Sequence, residues 1–404
     1  MNEVSANMSP GKILIIGASA AGISAAKEIR KQNEKAEVTI IGEENHLPYY
    51  RPFLTRYIAD KSVENHPSFL LNREEWYREN RIKLILGTKV TGIDILAHKV
   101  RTNKGGEIEF DRLILATGSC PFVPIQGALD CENVFAIRTL DDARSVNERL
   151  KNAKNAVIIG GGLLGLEAAD SLIKRNVHVS IVEMAERILP VQLDKDGSAF
   201  LESLLRANDV SLYLGTVAGE LSGRPKVSAV RLTSGEEIPA DIVLFSIGVR
   251  PNIELAGQIG IETKKGILVN ERMETKIEDI YACGDAAEYG RSMCLWMPAV
   301  RQGAIAGLNA VGIKSAFEAV EYPATLNAFG TTVFSIGDLA KNHDSSQYKE
   351  LNVMSGSKEI YKKLFFHEDT LAGGILIGDT AKALPLSKGI SGKMPFSKAG
   401  ELLK

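Results

Sequence analysis

Two glycine-rich turns have the residue types and the spacing that bind a dinucleotide. The clearer of them reads Gly160-x-Gly162-x-x-Gly165 and follows the apolar run 156–159. In such a turn the glycines permit a tight bend, the close approach of a pyrophosphate, and close packing of the helix on the strand. The helix that follows offers N–H groups and the positive end of its dipole to phosphate oxygens. The spacing therefore predicts a dinucleotide site at this turn.

The other turn, nearer the start of the chain, has the same outline with one substitution. It reads GASAAG from Gly17 to Gly22, so that Ser19 stands where the middle glycine is expected. Serine is small, and the backbone can still approach a pyrophosphate there. We therefore predict that this turn also binds a dinucleotide.

An acidic residue follows each turn, at the end of the next predicted strand. An acid about 20 residues past the glycines holds a ribose hydroxyl. After the first turn both Glu43 and Glu44 fit this role and the sequence does not separate them, whereas after the second turn the acid is Glu183. Because a carboxylate at the ribose repels a 2′-phosphate, Glu183 predicts a preference for NADH over NADPH, which Arg187 nearby weakens.

The two turns belong to a long internal repeat. GEIEFDRLILATG (106–118) closes the first copy, GEEIPADIVLFSIG (235–248) closes the second, and each ends a strand in a glycine turn. Self-similarity of this length indicates two copies of one dinucleotide-binding unit. Two such units suit two cofactors that exchange a hydride, a flavin that is held permanently and a nicotinamide that binds and leaves.

The composition argues against several other kinds of site and partner. The chain has 404 residues and a formal net charge of −2, which predicts neither nucleic acid nor an anionic membrane as a partner. The cysteines, at positions 120, 131, 283 and 294, form no C-x-x-C pair, so we predict no metal site. Cys120 and Cys283 are expected to be buried apolar residues and not thiolates.

The location of the protein is predicted from what the sequence lacks. No apolar run reaches the length of a membrane-spanning helix, and the start has no secretion-signal pattern. Sparse, unpaired cysteines are typical of a reducing compartment. We therefore expect a flexible tail at residues 1–10 and a cytoplasmic protein.

Further motifs give the chain a resemblance to a known family. YACGDAAE (281–288), ATGS (116–119) and SIGVRPN (246–252) resemble the second FAD motif and the two closing turns of the FAD-dependent pyridine nucleotide-disulfide oxidoreductases, the glutathione-reductase-like class. LPYYRPFLTR (47–56), together with residues 266–288, also resembles the NADH:rubredoxin oxidoreductases and the flavin module of assimilatory nitrite reductases.

This resemblance implies roles for particular residues. Asp285 would hold the ribityl chain of FAD, Arg51 would lie over the flavin and its pyrophosphate, and the backbone of Val90 would meet the adenine. Glu167 would face the junction of flavin and nicotinamide, and Arg56 would lie near the flavin ring, where many relatives have a lysine. These last two residues are the candidate catalytic residues.

The remaining predicted contacts come from the turns, the acids that follow them and the last helix of the FAD domain. The residues predicted to bind FAD are Gly17, Ser19, Ala20, Ala21, Gly22, Glu43, Glu44, Arg51, Pro52, Val90, Ala116, Thr117, Gly118, Gly284, Asp285, Met297, Pro298 and Gln302. Those predicted to bind the nicotinamide dinucleotide are Gly160, Gly162, Leu163, Leu164, Gly165, Glu183 and Gly248.

The chain departs from the disulfide-reducing branch of the class, because the segment 49–60 and the first helix contain no cysteine. Without an internal thiol relay, electrons must leave the flavin directly for an outside acceptor. We therefore predict an NAD(P)H-dependent FAD oxidoreductase that takes a hydride from NADH, with NADPH as the alternative. It would pass electrons singly to a small carrier protein such as rubredoxin.

Other functions stay open on the sequence. The same flavin chemistry would serve the flavin subunit of a nitrite reductase system, or an NADH oxidase that gives electrons to oxygen. A different class of function is an NADH-responsive flavoprotein that acts as a sensor or scaffold.

These patterns predict an α/β fold with two Rossmann-like dinucleotide-binding domains and a small α+β C-terminal domain. The FAD-binding domain would be discontinuous, with residues 11–123 and 245–319, and the NAD(H)-binding domain would span 124–244. Residues 320–404 would form an interface or cap domain, in a monomer or a homodimer. Five lysines after residue 380 stand against the single acid Glu401. They indicate either a solvated tail or a basic surface that steers an acidic carrier.

Overall fold

The structure is a computed structural model that describes residues 11–340, 347–355 and 359–404. The predicted tail at 1–10 lies outside the described residues. Within them the strands are β1 (Lys12–Ile16), β2 (Glu37–Ile41), β3 (Ile82–Ile85), β4 (Val90–Asp94), β5 (Lys99–Thr102), β6 (Glu107–Glu109), β7 (Arg112–Leu115), β8 (Ser119–Pro121), β9 (Val134–Phe135), β10 (Asn155–Ile159), β11 (His178–Glu183), β12 (Ser211–Leu214), β13 (Ala218–Ser222), β14 (Ala229–Leu232), β15 (Glu237–Pro239), β16 (Ile242–Phe245), β17 (Val249–Pro251), β18 (Ile267–Leu268), β19 (Ile280–Ala282), β20 (Ala287–Glu288), β21 (Ala324–Ala328), β22 (Thr331–Gly337), β23 (Tyr348–Met354), β24 (Tyr361–His367) and β25 (Thr370–Ile377).

The α-helices of the described residues are α1 (Ala20–Gln32), α2 (Leu54–Ala59), α3 (Glu74–Glu79), α4 (Leu140–Arg149), α5 (Leu163–Ile173), α6 (Lys195–Ala207), α7 (Glu254–Gln258), α8 (Trp296–Ala310) and α9 (Ala383–Ser391). None of these helices combines the length and the apolar character that crossing a bilayer requires, as far as the described residues go.

The described chain forms two compact units. The first contains residues 11–53, Ser62–Cys120 and Val249–Ala319, and the second contains Leu54–Lys61, Pro121–Gly248 and 320–404. Helix α2 groups with the second unit, where it packs on α4 and α5. The division into three domains with the boundaries given above stays a prediction.

A parallel sheet in the order β19-β7-β1-β2-β3 forms the centre of the first unit. Its middle strand, β1, buries four consecutive residues, Ile13–Ile16, as a strand covered on both faces must. Because side chains alternate along a strand, Ile13 and Ile15 enter one hydrophobic cluster while Leu14 and Ile16 enter another.

Helices α1 and α8 of the first unit pack at a distance that only glycine permits. A Cβ on Gly303 would lie 2.1 Å from the carbonyl oxygen of Ala21, and a Cβ on Gly307 would lie 2.5 Å from that of Ala25. This close approach holds the middle of α8 against the first turns of α1.

The second unit repeats the plan of the first around the parallel sheet β12-β11-β10-β16-β9. The run β16-β10-β11-β12 matches β7-β1-β2-β3, and an antiparallel sheet of three strands precedes β7 in one unit and β16 in the other. Both small sheets even contain a β-bulge in their first strand, at Val90/Gly92 and at Ala218/Glu220. The predicted internal repeat is therefore confirmed strand by strand.

The C-terminal part of the second unit is an antiparallel sheet in the order β21-β22-β25-β24-β23. Strand β24 carries the buried Lys363, whose Nζ lies 2.9 Å from Asp194 and 2.9 Å from Glu350. Asp194 also accepts hydrogen bonds from the Tyr361 hydroxyl and from the first turn of α6. Buried charges need such partners, and this network joins the antiparallel sheet to α6. The fold class is thus confirmed: two Rossmann-like parallel sheets and a C-terminal antiparallel sheet.

Candidate dinucleotide-binding sites

The first turn bends in a way that requires glycine at both ends. Gly17 has φ of 120°, and a Cβ there would lie 2.0 Å from the carbonyl oxygen of Ala116. A Cβ on Gly22 would lie 1.9 Å from the carbonyl oxygen of Gly17. Strand β7 and helix α1 therefore pack against the turn itself, and the buried Ala20 and Ala21 open the helix.

Ser19, which replaces the middle glycine, precedes α1 but makes no side-chain hydrogen bond to that helix. Its hydroxyl instead accepts a hydrogen bond from Nε of Arg51, at 3.1 Å. Arg51 begins the short 3-10 helix Arg51–Phe53, in which Pro52 is exposed. The guanidinium is thus held at the N-terminus of α1, where helix N–H groups and a positive charge suit a pyrophosphate.

Glu44 contacts the same arginine. Its carboxylate forms an ion pair with Nη2 of Arg51 and accepts a hydrogen bond of 2.5 Å from the Tyr49 hydroxyl. The guanidinium carbon lies 5.4 Å from the centre of the Tyr49 ring. Because both charged side chains are about four-fifths buried, this ion pair is screened far less than a surface pair.

A cavity of about 620 Å³ opens beside the first turn, and Gly17, Glu43, Lys89, Val90 and Thr117 contribute to its lining. Glu43 is 67% exposed, and its Oε1 lies 3.0 Å from Nζ of Lys89. The structure therefore brings Glu43 and Val90, two of the predicted adenosine contacts, to one cavity with the glycine turn.

The turn after β7, which contains Ala116, Thr117 and Gly118, is closed by a pair of reciprocal hydrogen bonds. The Thr117 hydroxyl donates to the backbone oxygen of Asn252, and Nδ2 of Asn252 donates to the backbone oxygen of Thr117, both at 2.9 Å. Gly118 has φ of 70°. Sequence reasoning missed Asn252, although it is the last residue of the SIGVRPN motif.

Asp285 lies in the short 3-10 helix Gly284–Ala286 and accepts a hydrogen bond of 2.7 Å from the Ser119 hydroxyl. The N–H of Gly284 donates to Oε1 of Gln302, which is buried in α8. Gln302 therefore supports the turn that carries Asp285. At the start of the same helix Pro298 is buried and Met297 is exposed.

The second turn follows the geometry of the first. Gly160 has φ of 115°, and a Cβ there would lie 2.3 Å from the carbonyl oxygen of Ser246. A Cβ on Gly165 would lie 2.1 Å from the carbonyl oxygen of Gly160, whereas a Cβ on Gly162 would meet no atom within 4 Å in the part of the chain that the structure describes. Leu163 and Leu164 begin α5 directly after this open position, and Gly248, with φ of 99°, ends the turn after β16.

Glu183 is held at the second turn by backbone groups. Its Oε2 accepts a hydrogen bond of 2.7 Å from the N–H of Gly161, and its Oε1 accepts one of 2.8 Å from the N–H of Ala185. The carboxylate therefore has a fixed position at the end of β11, beside the glycines, as a ribose contact requires. Arg187 donates to the backbone oxygen of Pro190 at 3.3 Å, and its buried Nε has no hydrogen-bond partner among the described residues.

The two candidate catalytic residues, Glu167 and Arg56, belong to the second unit. Glu167 lies on α5 and accepts a hydrogen bond of 3.0 Å from the Thr55 hydroxyl. Burial raises the pKa of Glu167 above its usual range, while this hydrogen bond and the positive charge of Arg56 oppose the rise. The structure therefore brings the pair close enough to interact, and Thr55 is a partner that sequence reasoning missed.

The cysteines correct one expectation. Cys283 is fully buried, and burial raises the pKa of its thiol to about 12, so it stays protonated at neutral pH. Cys120, which was expected to be buried, is exposed. It lies in β8 directly after the buried Ser119, and since side chains alternate along a strand it points the opposite way.

The residues of the first unit fit a flavin dinucleotide. Gly17 and Gly22 form a cradle that an added Cβ would fill, Arg51 supplies a cation at the helix N-terminus, and a carboxylate lines the adjoining cavity. The second unit offers the same cradle with a fixed acid and fits a nicotinamide dinucleotide.

Comparisons with known proteins show the family to which the chain belongs. Residues 11–303 match the family described as pyridine nucleotide-disulphide oxidoreductase, and residues 323–394 match the rubredoxin NAD+ reductase C-terminal domain. The chain is 34% identical over 398 residues to the NADH-rubredoxin oxidoreductase of Clostridium acetobutylicum, with 98% of each chain covered. The predicted family resemblance is confirmed by these matches.

Two further relatives differ in how much of their length the chain covers. A match at 32% identity to the NAD(P)H nitrite reductase of Bacillus subtilis covers 98% of this chain and 49% of that protein, so the chain spans about half of it. A chain of the crystal structure of the covalent putidaredoxin reductase–putidaredoxin complex superposes with a TM-score of 0.86 at 27% identity. That superposition covers 96% of this chain and 94% of the other.

Proposed function

Since the chain belongs to the pyridine nucleotide-disulphide oxidoreductase family, it is an NAD(P)H-dependent flavin oxidoreductase with FAD and NADH as cofactors, and we propose that it delivers electrons to rubredoxin. The pair of equivalent glycine turns, one in each unit, carries the flavin and nicotinamide part of the proposal. When bound, FAD would supply the chemistry that accepts a hydride as two electrons and releases them one at a time.

The residues of the first unit would bind and orient the flavin. Gly17 and Gly22 leave room for the pyrophosphate, and Arg51 offers it a positive charge at the start of α1. Asp285, oriented by Ser119, would hold the ribityl chain, and Glu43 would hold the adenosine ribose. Glu44 would not compete for the ribose, because its carboxylate already pairs with Arg51.

The residues of the second unit would bind NADH and orient its reactive end. Glu183, fixed by two backbone N–H groups, would accept hydrogen bonds from the ribose and repel a 2′-phosphate. Glu167 has a raised pKa and a cation nearby, as perturbed carboxyl groups at functional sites often have. It would orient the nicotinamide during hydride transfer.

Two findings support a small redox protein as the acceptor, and rubredoxin in particular. Of the relatives described above, one that is covered over nearly its whole length is named NADH-rubredoxin oxidoreductase, and another was crystallised in a covalent complex with putidaredoxin. Residues 323–394 also match a C-terminal domain described for rubredoxin NAD+ reductase. No cysteine lies in the segment 49–60, so the electrons would leave the flavin without an internal thiol relay.

An anaerobic absorbance titration tests the proposal. NADH is added to the purified, FAD-loaded protein while the flavin absorbance is followed, and oxidised rubredoxin is then added. We expect fast bleaching followed by prompt return of the flavin colour. Bleaching without recovery by rubredoxin would overturn the proposed acceptor, and oxygen and nitrite reductase components would be tried in its place. Protein that binds no flavin, or that NADH does not bleach, would overturn the whole proposal.

A further inference from the structure

We infer that Ser19 is a positioning residue that holds the Arg51 guanidinium at the N-terminus of α1, and that it strengthens the binding of FAD. The inference rests on the proposed function, because it takes the first turn as the site of the FAD pyrophosphate. Its consequence is that restoring the expected glycine at position 19 would weaken FAD binding.

The backbone at position 19 does not require glycine. Ser19 has φ of −133° and ψ of −159°, an extended conformation that any residue adopts. The strain of the turn falls on Gly17, with φ of 120°, and the tightest packing falls on Gly17 and Gly22. Position 19 therefore tolerates a small side chain, and this side chain can contact residues outside the turn.

The hydroxyl of Ser19 forms a hydrogen bond with an arginine that lies 32 residues away along the chain. A serine in front of a helix often accepts a hydrogen bond from the first turn of that helix, and Ser19 makes none. Its hydroxyl accepts instead from Nε of Arg51 at 3.1 Å. The loss of the hydroxyl would thus remove a contact to Arg51 without removing a helix cap.

The guanidinium is held on other sides as well. Nη2 of Arg51 pairs with Glu44, and Nη1 lies 3.5 Å from the hydroxyl of Tyr49. An arginine side chain loses much conformational freedom when it binds an anion, and a side chain that is already held loses less. Ser19, Glu44 and Tyr49 together would lower the cost of ordering Arg51 around the pyrophosphate.

The second turn provides the contrast. Gly162 stands at the equivalent position and also has an extended backbone, with φ of −81° and ψ of 179°. A Cβ on Gly162 would meet no atom of the described residues within 4 Å. In the first turn, the serine in place of this glycine coincides with an arginine contact.

The experiment measures FAD release from the full-length, FAD-loaded protein. Each variant is diluted in steps, and the fluorescence of the released flavin gives the dissociation constant. We expect Ser19→Gly and Ser19→Ala to raise this constant about tenfold, as the loss of a hydrogen bond to a charged group would. Ser19→Thr keeps a hydroxyl and should stay within about twofold of the unchanged protein.

Arg51→Met supplies the control that separates positioning from a general effect on the turn. If Ser19 acts through Arg51, Ser19→Gly should have little further effect on FAD release once Arg51→Met is present. Equal or tighter FAD binding by Ser19→Gly, or a tenfold loss that persists beside Arg51→Met, would overturn the inference. If the protein without any substitution binds no FAD, the proposed function itself is overturned. The failure of the inference and the failure of the proposed function are therefore distinguishable.

Discussion

The two glycine turns follow one backbone plan, and they differ in the side chains that surround it. In both turns the N–H of the first glycine donates at 2.8 Å to a backbone oxygen near the end of the neighbouring strand, that of Ile41 for Gly17 and that of Val182 for Gly160. In the first turn an arginine, a serine, a tyrosine and a glutamate surround the helix N-terminus. In the second turn the carboxylate of Glu183 accepts a hydrogen bond from the glycine loop.

The acids differ in position as well. Since Ile41 and Val182 occupy equivalent places, Glu183 corresponds to Gly42, and the acids of the first copy come one and two residues later. Glu44 then pairs with Arg51, and Glu43 lines the cavity. Under the proposed function, the same backbone would serve a permanent and an exchanging ligand, and we expect the added charged contacts to favour the permanent one.

The largest effect is expected when a methyl group is added to the first glycine of either turn. Gly17→Ala and Gly160→Ala would each place a Cβ within 2.3 Å of a carbonyl oxygen, at a positive φ. We expect Gly17→Ala to lower bound FAD by about tenfold or more, and Gly160→Ala to keep FAD but slow reduction by NADH by a similar factor. Flavin absorbance per protein and anaerobic stopped-flow rates measure the two quantities. Loss of FAD by Gly160→Ala would break the assignment of one cofactor to each turn.

The next effect concerns the acid of the second turn. Glu183→Ala would remove the carboxylate that two backbone N–H groups hold beside the glycines. We expect the ratio of kcat/KM for NADH over NADPH to fall by about tenfold or more, with bound FAD unchanged. Glu186→Ala, at an exposed acid three residues along the chain, is the matched control. An unchanged ratio in Glu183→Ala would mean that another residue meets the ribose.

A smaller effect should separate the two acids of the first turn. Glu43→Gln would weaken FAD binding severalfold but leave the unfolding temperature of the FAD-free protein unchanged, because its ion pair with Lys89 is exposed. Glu44→Gln would lower that unfolding temperature, because it breaks the largely buried pair with Arg51. Calorimetry and flavin release supply the two measurements. The assignment of Glu43 to the ribose fails if Glu43→Gln retains full affinity for FAD.

The smallest effect is expected from a change at one of two equivalent positions, each on the first helix of its copy. Two residues after the last glycine, the first copy has Ser24, which donates to the backbone oxygen of Val300, and the second has Glu167. Burial raises the pKa of Glu167. The folded protein therefore loses stability as pH rises from the ordinary pKa of this carboxyl through the raised pKa, because ionisation is harder in the folded state. In acid, below the ordinary pKa, the carboxyl is neutral in both states and the cost vanishes.

We therefore expect Glu167→Gln to raise the unfolding temperature by about 2 °C at pH 8 and to leave it unchanged at pH 4. Thermal unfolding across this pH range measures the difference, and Glu186→Gln is the exposed control. A difference that is the same at both pH values would contradict the raised pKa. In the same variant, a slower reduction of the flavin by NADH would support the proposed role of Glu167 at the nicotinamide.

The sequence by itself was sufficient for the duplicated α/β plan and for the glycines of both turns. Apolar strands and glycines with required positions leave a local pattern, because a buried parallel strand excludes polar residues and a Cβ at Gly17 or Gly160 has no room. The family could be recognised for the same reason, since its motifs are short turns in which each residue has a geometric task.

Only the tertiary structure decided which side chains meet. It placed Glu43 on the lining of the cavity and Glu44 in an ion pair with Arg51. It also joined Ser19 to Arg51 and paired Thr117 with Asn252, 135 residues away. It also exposed Cys120, because the direction of a side chain depends on how its strand is placed in the unit. Hydrogen bonds between segments that are distant in sequence depend on the packing of sheets and helices, and no local pattern of residues encodes that packing.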